Sequence, residues 1–411
     1  MTDRFAAFRH LSYRRYFISR FAAALGAQIL SVSAAYQVYD VTGSAALLGA
    51  IGLVQFLPAL LLVVVTGVTA DRLGRRLVMG LSICLEFACA ASVLVLVLTG
   101  NFNAYVVLGI LTLFGVARAF LSPASSSLAV NIVPAEDFVN AVSWTTSSWQ
   151  LASIAGPALA GVLYLLSPFA AYTTSAIVFM IAAALIFSIP KPPQRKSTEL
   201  TTLRTLLGGF SYVAKNRIVL GAISLDLFAV LLGGAVALMP IYAKDILELG
   251  ALGNGLLRAA PGIGAIGMVF ILTSFPIRDH AGIILFVSVA LFGAFTAVFG
   301  ASTIAWVSIG ALILVGAFDM VSVMIREVIL QLWTPDEVRG RVNAVNSIFL
   351  GASNELGEAR AGFMAAFYGA VFTVVAGGVA AIGVAAAWSW LFPGLRQQRR
   401  LVHPDEDVMV P

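Results

Sequence analysis

Long apolar runs fill the chain, and short polar stretches separate them. A membrane-crossing helix needs about 20 predominantly apolar residues. Twelve runs meet that need, roughly 17–39, 45–69, 77–99, 104–130, 139–165, 169–189, 217–243, 251–276, 281–300, 304–331, 341–367 and 370–391. The short alternating segments of a membrane β-barrel are absent. The pattern therefore predicts an all-α integral membrane protein with twelve transmembrane helices. Composition points the same way. Of 411 residues, 60% are hydrophobic and 11% charged, and the mean hydropathy is +0.96. A soluble protein carries about 25% charged residues, and no single soluble core absorbs so much apolar surface.

A net charge of +5 would suit a nucleic-acid partner, but its distribution describes a topology instead. Arg4, Arg9, Arg14, Arg15 and Arg20 precede or open the first run. Arg72, Arg75 and Arg76 lie between the second and third. Lys191, Arg195, Lys196, Arg204, Lys215 and Arg217 lie between the sixth and seventh. Arg278 follows the eighth, Arg339 and Arg341 the tenth, and Arg396, Arg399 and Arg400 the twelfth. The opposite side has Lys244 alone. Basic loops stay inside, so both termini are expected in the cytoplasm, with the chain in a bacterial inner membrane. The first run is too long for a cleavable signal peptide. Cys84 and Cys89 share one span but point to different faces, so they are read as packing residues.

The chain repeats itself at about half its length. GVARAFLSPASSSLAVNIVP (Gly115–Pro134) matches GAFDMVSVMIREVILQLWTP (Gly316–Pro335) at both ends. VNAV recurs at Val139–Val142 and Val342–Val345, and GPALAG (Gly156–Gly161) returns as GEARAG (Gly357–Gly362). Two pseudo-symmetric six-helix halves follow, 1–189 and 217–393, with a linker at 190–216 and a tail at 394–411. Parallel halves of this kind put a substrate site at their interface near the midplane. The linker opens PKPPQRKSTE, a polar, Pro-marked stretch. TLLGGFSYVAK after it suits a short amphipathic helix on the inner membrane surface, or a plain tether.

The loop GVTADRLGRRLVM (Gly67–Met79) closely resembles the signature loop of the major facilitator superfamily, matched at Gly67, Asp71, Arg72, Gly74, Arg75 and Arg76. The resemblance implies a conformational latch on the cytoplasmic side, with the aspartate facing a helix N-terminus, where a carboxylate is favoured. The second half's counterpart around Arg278–Gly282 is degenerate, so a symmetric latch is not implied. GPALAG resembles the Gly-Pro motif of efflux members. Gly156 and Gly161 would allow close helix contact, and Pro157 a kink. Over nearly its whole length the chain resembles the enterobactin-exporter and macrolide-efflux-like branch. Tyr39–Leu61, RAFLSPA (Arg118–Ala124) and Thr334–Gly362 carry the likeness. This implies export, usually proton-driven, of a small amphipathic molecule such as a drug, siderophore or metabolite. Uptake or facilitated diffusion by the same fold is the alternative.

GASNELGEARAGF (Gly351–Phe363) puts Glu355, Glu358 and Arg360 inside an apolar run. Each such charge costs roughly 2.5–3.5 kcal/mol at mid-bilayer on the insertion scale. Glu355 and Glu358 share a face with Gly351 and Gly362, while Arg360 points elsewhere. Asp319, Ser322 and Arg326 share a face of the tenth run. Arg118 in the fourth is the repeat partner of Asp319, and Asp226 lies in the seventh. The resemblance implies that runs four, seven, ten and eleven line the central cavity. Glu355, Glu358, Asp226, Asp319, Arg118 and Arg326 are therefore the candidates for cavity lining and proton coupling. Two neighbouring acids cannot comfortably both stay charged in an apolar site, which ranks Glu355 and Glu358 first. The alternative is structural pairing of acid with base, with Arg118–Asp319 and Arg326–Glu327 as the obvious pairs. Glu86, in a run peripheral in that superfamily, ranks lower. Trp144, Trp149 and Gln150 would suit an amphipathic substrate if they face inward.

Other classes find little support. His10, His280 and His403 lie outside the runs or at their ends, which leaves no histidine for a metal, haem or catalytic dyad at depth. None of Lys191, Lys196, Lys215 and Lys244 follows a glycine, so there is no P-loop. The expected partners are a small-molecule substrate, protons and the bilayer, with no cofactor or metal, no nucleic acid and a monomeric state. An intramembrane enzyme or a channel is the rival from another class. Topology reporters should be active on the cytoplasmic side after Arg76, Pro193 and the C-terminus, and on the far side near Gly43 and Gly250. A far-side signal at residue 193 would overturn the twelve-span arrangement.

Overall fold

The computed structural model describes residues 4–191, 203–277 and 279–399. Within them, the side chains of Gly67, Asp71 and Arg72, among a few others, are outside the description. Among the described residues there are helices and no strands. The first six long helices are α1 (Leu11–Thr42), α2 (Ala45–Leu73), α3 (Arg75–Leu98), α4 (Ala104–Ile132), α5 (Phe138–Leu166) and α6 (Pro168–Phe187). The short α7 (Leu203–Lys215) follows. Then come α8 (Arg217–Gly233), α9 (Met239–Ile241), α10 (Gly250–Ser274), α11 (Ala281–Ala301), α12 (Ala305–Leu332), α13 (Asp336–Tyr368), α14 (Ala370–Leu391) and α15 (Pro393–Arg396). Each of the twelve apolar runs is helical. Among the described residues, eleven spans are long and apolar enough to cross a membrane, α8 counting through to Ile246. The twelfth, α13, is 33 residues long and is interrupted by Glu355, Glu358 and Arg360.

Local chemistry sets the boundaries. Asn103 accepts hydrogen bonds from the Tyr105 and Val106 amides at the start of α4. Ser167 does so for Ala170 before α6, and Asn216 for Ile218 and Val219 before α8. These side chains satisfy helix-end amides that have no partner within the helix. Gly74, at φ +97°, separates α2 from α3 in a backbone conformation that side chains resist.

Two compact units result. One contains residues 1–43, 54–201 and 250–259, and the other 44–53, 202–249 and 260–411. The first ten residues of α10 thus pack in the first unit, and the start of α2 packs in the second. The core of the first unit is built on Tyr13, Tyr16, Phe114 and Phe179. Its buried tyrosines are bonded: Tyr13 donates to the Ala141 carbonyl and Tyr16 to that of Ser125. The core of the second unit gathers Leu225, Leu285, Val321, Ile325 and Ile329. Apolar side chains also cover the outside, including Phe367 and Trp390, as lipid contact requires.

The internal repeat is a repeat of contacts. Gly115 of α4 lies against the Gln55 carbonyl of α2, and its partner Gly316 of α12 lies against the Pro261 carbonyl of α10. Gly156 of α5 packs on Gln28 of α1, while Gly357 of α13 packs on Val230 and Leu231 of α8. Gly161 meets Ala251 and Gly255 of α10, and Gly362 meets Ala45 and Gly49 of α2. Each repeated glycine therefore brings the equivalent pair of helices together. Small residues allow this in lipid, where packing drives association.

The linker helix α7 is docked in the second unit. Val213 is buried with Val219, Leu330, Val342 and Val345, and the Tyr212 hydroxyl donates to the Trp333 carbonyl at 2.7 Å. The tether alternative is set aside for 203–215; residues 192–202 lie outside the description, as do 400–411 of the tail.

An alanine Cβ at Gly255 would stand 2.5 Å from the Pro157 carbonyl oxygen, and one at Gly161 would stand 2.8 Å from that of Ala251. Gly161→Ala and Gly255→Ala should each destabilise the protein by about 1–3 kcal/mol, the usual cost of overpacking. Gly267→Ala, where a Cβ meets nothing, should be neutral. Thermal unfolding of the purified variants checks this.

Candidate functional site

The first unit holds a half-open cavity of about 170 Å³ between α1, α3, α4 and α5. Arg20, Gln28, Glu86, Arg118, Ser122, Ser125, Trp149 and Ser153 supply its polar and aromatic walls. The Gly156–Gln28 contact holds α5 close enough to α1 for Trp149 and Ser153 to reach it. Arg20 donates to the Ser125 hydroxyl. Arg118 is exposed and stands over the Phe114 ring, 6.0 Å from its centre. Glu86 is fully buried, and neither carboxylate oxygen has a hydrogen-bond partner. Trp144 takes no part: it stacks on Phe5, and its indole nitrogen donates to the Arg4 carbonyl. Gln150, half-buried, is not in the wall either.

In the second unit, Arg326 of α12 forms a 2.7 Å ion pair with Asp226 of α8. Both are buried. The Arg326 Nε also donates to the Ser322 hydroxyl, one turn back. Asp319, half-buried two turns from Arg326, feels both charges. The expected Arg326–Glu327 pairing is thus corrected. Adjacent helical residues point about 100° apart, and Glu327 instead accepts a hydrogen bond from Asn346 of α13 at 3.1 Å.

The three charges of α13 divide by face. Glu355 and Glu358 are half-buried beside Gly52 of α2, where a Cβ would lie 3.3 Å from the Glu355 Oε2. The two acids therefore sit on a close helix contact. Arg360 points to α8 and donates to the Leu232 carbonyl at 2.6 Å. That carbonyl lies in the last turn of α8, just before the backbone breaks at Gly234. A guanidinium there satisfies an orphaned acceptor and complements the helix dipole. The break could have been suspected from the Gly233–Gly234 pair.

Among the latch residues, Arg75 donates to the Ser127 carbonyl and the Asn131 side chain, and Arg76 donates to the Phe187 carbonyl. Both arginines thereby tie α3 to neighbouring helices of its own unit. The side chains of Gly67, Asp71 and Arg72 lie outside the description, and so does Arg278.

A two-unit helical membrane protein with a buried ion pair and a signature loop after its second span suits a transporter. A family model described as transmembrane secretion effector matches residues 2–400. The chain belongs to the transmembrane secretion effector family. This effector-family chain is 26% identical over 374 residues to the enterobactin exporter EntS of Shigella boydii serotype 4, covering 89% of this chain and 87% of that one. It is 28% identical over 224 residues to macrolide efflux protein A of Streptococcus pyogenes, covering 52% and 53% respectively. In fold it matches a bacterial homologue of the human lysosomal transporter Spinster, with a TM-score of 0.74, 13% identity, and 93% and 97% coverage. A D-xylose–proton symporter matches with a TM-score of 0.68, 13% identity, and 94% and 99% coverage. The transmembrane secretion effector is thus a multi-pass transporter of the major facilitator type, related to efflux permeases and not to enzymes.

Breaking a buried ion pair from one side leaves the other charge stranded, at about 3–5 kcal/mol. Asp226→Asn and Arg326→Gln should each lower the unfolding temperature markedly. The double variant should recover more than half of the summed loss. Additive losses in a double-mutant cycle would show that the two groups do not stabilise each other.

Proposed function

We propose that this transporter is a proton-coupled exporter of a small amphipathic organic molecule across the bacterial inner membrane. It works as a monomer by alternating access between the halves 1–189 and 217–393, with both termini in the cytoplasm. The observation that carries the reading is the buried Asp226–Arg326 ion pair with a further acid, the half-buried Asp319, two turns along α12 from that arginine. One bound proton balances such a cluster, and its release leaves a net negative charge. A purely structural pair would need one acid, not two. Glu355 and Glu358 form a second acidic site on the α2–α13 contact. Parting that contact would change their exposure, which suits groups that exchange protons in step with the cycle. The outward direction rests on the relatives, whose names describe export of enterobactin and efflux of macrolides. The signature loop is assigned as the cytoplasmic latch. Since Arg75 and Arg76 are engaged by α4 and α6, its switching charge falls to Asp71.

Inside-out membrane vesicles test the reading, with enterobactin and a macrolide as probes. An imposed proton gradient should drive accumulation of at least one probe, and an ionophore that collapses the gradient should abolish it. Asp319→Asn, and separately the pair Glu355→Gln with Glu358→Gln, should identify the carrier. The variant that removes it keeps downhill exchange and loses accumulation against a gradient. Wild-type accumulation in both variants would eliminate both acid sites, and accumulation indifferent to the ionophore would eliminate proton coupling.

A further inference from the structure

The cavity of the first unit holds a buried acid, Glu86, that no pair or hydrogen bond described above engages. Glu86 sits on α3, wholly buried, with apolar Met79, Ile83 and Ala90 on the same helix buried around it. Both of its carboxylate oxygens lack a hydrogen-bond partner. A buried carboxylate in that condition is very costly, and such groups neutralise unless a counter-charge or water reaches them. As packing alone, an apolar residue of similar size would fill the place at no such cost.

Two cations share its cavity. Arg20 on α1 is tied to the Ser125 hydroxyl. Arg118 on α4 is exposed, with only the Phe114 ring beneath it. The remaining helices packed around Glu86 add no other charge within their spans. α6 has none, its titratable Tyr172 being bonded to Gln37, and α5 has none between Phe138 and Leu166. Cys89 on α3 is the other titratable neighbour. Volume decides what else fits. About 170 Å³ has room for several waters and lies below the 300–1,000 Å³ typical of a drug-sized ligand site.

We propose that Glu86 is a proton-binding residue of the transport cycle, loaded and emptied through the water-sized cavity that it shares with Arg20 and Arg118. The inference deepens the proton-coupled reading and adds a site in the first unit to those in the second. In the loaded state the carboxylic acid is neutral and needs no counter-ion. When the Arg118 guanidinium moves toward it, the O–H bond breaks. The proton passes to cavity water as hydronium, and the carboxylate stays paired with the arginine. When Arg118 is drawn away, the carboxylate takes a proton back from water. Arg118 is the positioning residue and Glu86 the carrier.

The test needs neither a substrate nor a gradient, so its failure is separate from failure of the export reading. Infrared difference spectra of the full-length protein in nanodiscs are recorded from about pH 5 to about pH 10, a range spanning the carboxyl-to-tyrosine titrations. A carboxylic-acid carbonyl band should appear and vanish within that range. The component that belongs to Glu86 should be lost in Glu86→Gln and kept both in Asp319→Asn and in Glu355→Gln with Glu358→Gln. In Arg118→Gln it should persist to higher pH by about 1 unit or more, the scale of one nearby opposite charge. Identical pH difference spectra in the wild type and Glu86→Gln overturn the proposal. A Glu86 band that does not titrate also overturns it, because a permanently neutral acid carries nothing. Should Glu86→Gln fail to fold, the Arg118→Gln shift decides: a band unmoved there overturns the proposal.

Discussion

A charge inside a hydrocarbon layer must be answered by an opposite charge, a backbone carbonyl or water. Most of the polar architecture follows from this constraint. Arg326 is answered by Asp226 across the α8–α12 contact. Arg360 is answered by the Leu232 carbonyl, which the break after α8 leaves without a helical partner. Arg75 and Arg76, at the start of α3, are answered by carbonyls of α4 and α6. Each answer also joins two helices. The charges therefore fix which helices neighbour one another inside a unit, a task that the uniformly apolar surfaces cannot perform on their own.

Glycine provides the complementary device. Where two helices cross without polar partners, a missing Cβ lets the backbones meet, as at Gly161 with Gly255 and Gly49 with Gly362. These two crossings are the ones that seat the start of α10 in the first unit and the start of α2 in the second. Glu355 and Glu358 lie on the second crossing.

Much of this could be read from the chain, and the exceptions have physical causes. Hydropathy places twelve helices, since lipid demands apolar surface on each. The run 341–367 is the least apolar of them because α13 carries Glu355, Glu358 and Arg360, which face neighbouring helices. The repeat was visible as matched glycines, and those positions make equivalent contacts because a glycine at a crossing cannot drift without losing the crossing. Pairing was less legible. Arg326 and Glu327 are neighbours in sequence, but helical geometry separates them, and the true partner Asp226 is a hundred residues distant. Trp144 looked like substrate-facing aromatic surface. Only the fold shows that the N-terminal segment turns back to stack Phe5 on it. Glu86 was ranked low from its helix alone, since a helix's usual position says nothing of which face one side chain takes.

The distinction that organises the site is between charges that are answered and one that is not. An answered pair such as Asp226–Arg326 resists separation, since parting it strands both ions. It therefore favours a fixed structure. Asp319 is the surplus acid beside that pair, and Glu86 is the acid with no bonded partner, so neither is locked by its surroundings. Both can change protonation without dismantling the helix contacts that fixed ions maintain. A transporter needs both kinds of group. On the proton-coupled reading, a pair such as Asp226–Arg326 would keep its helices together through the cycle, while acids such as Asp319 and Glu86 would let the energy of movement depend on a proton.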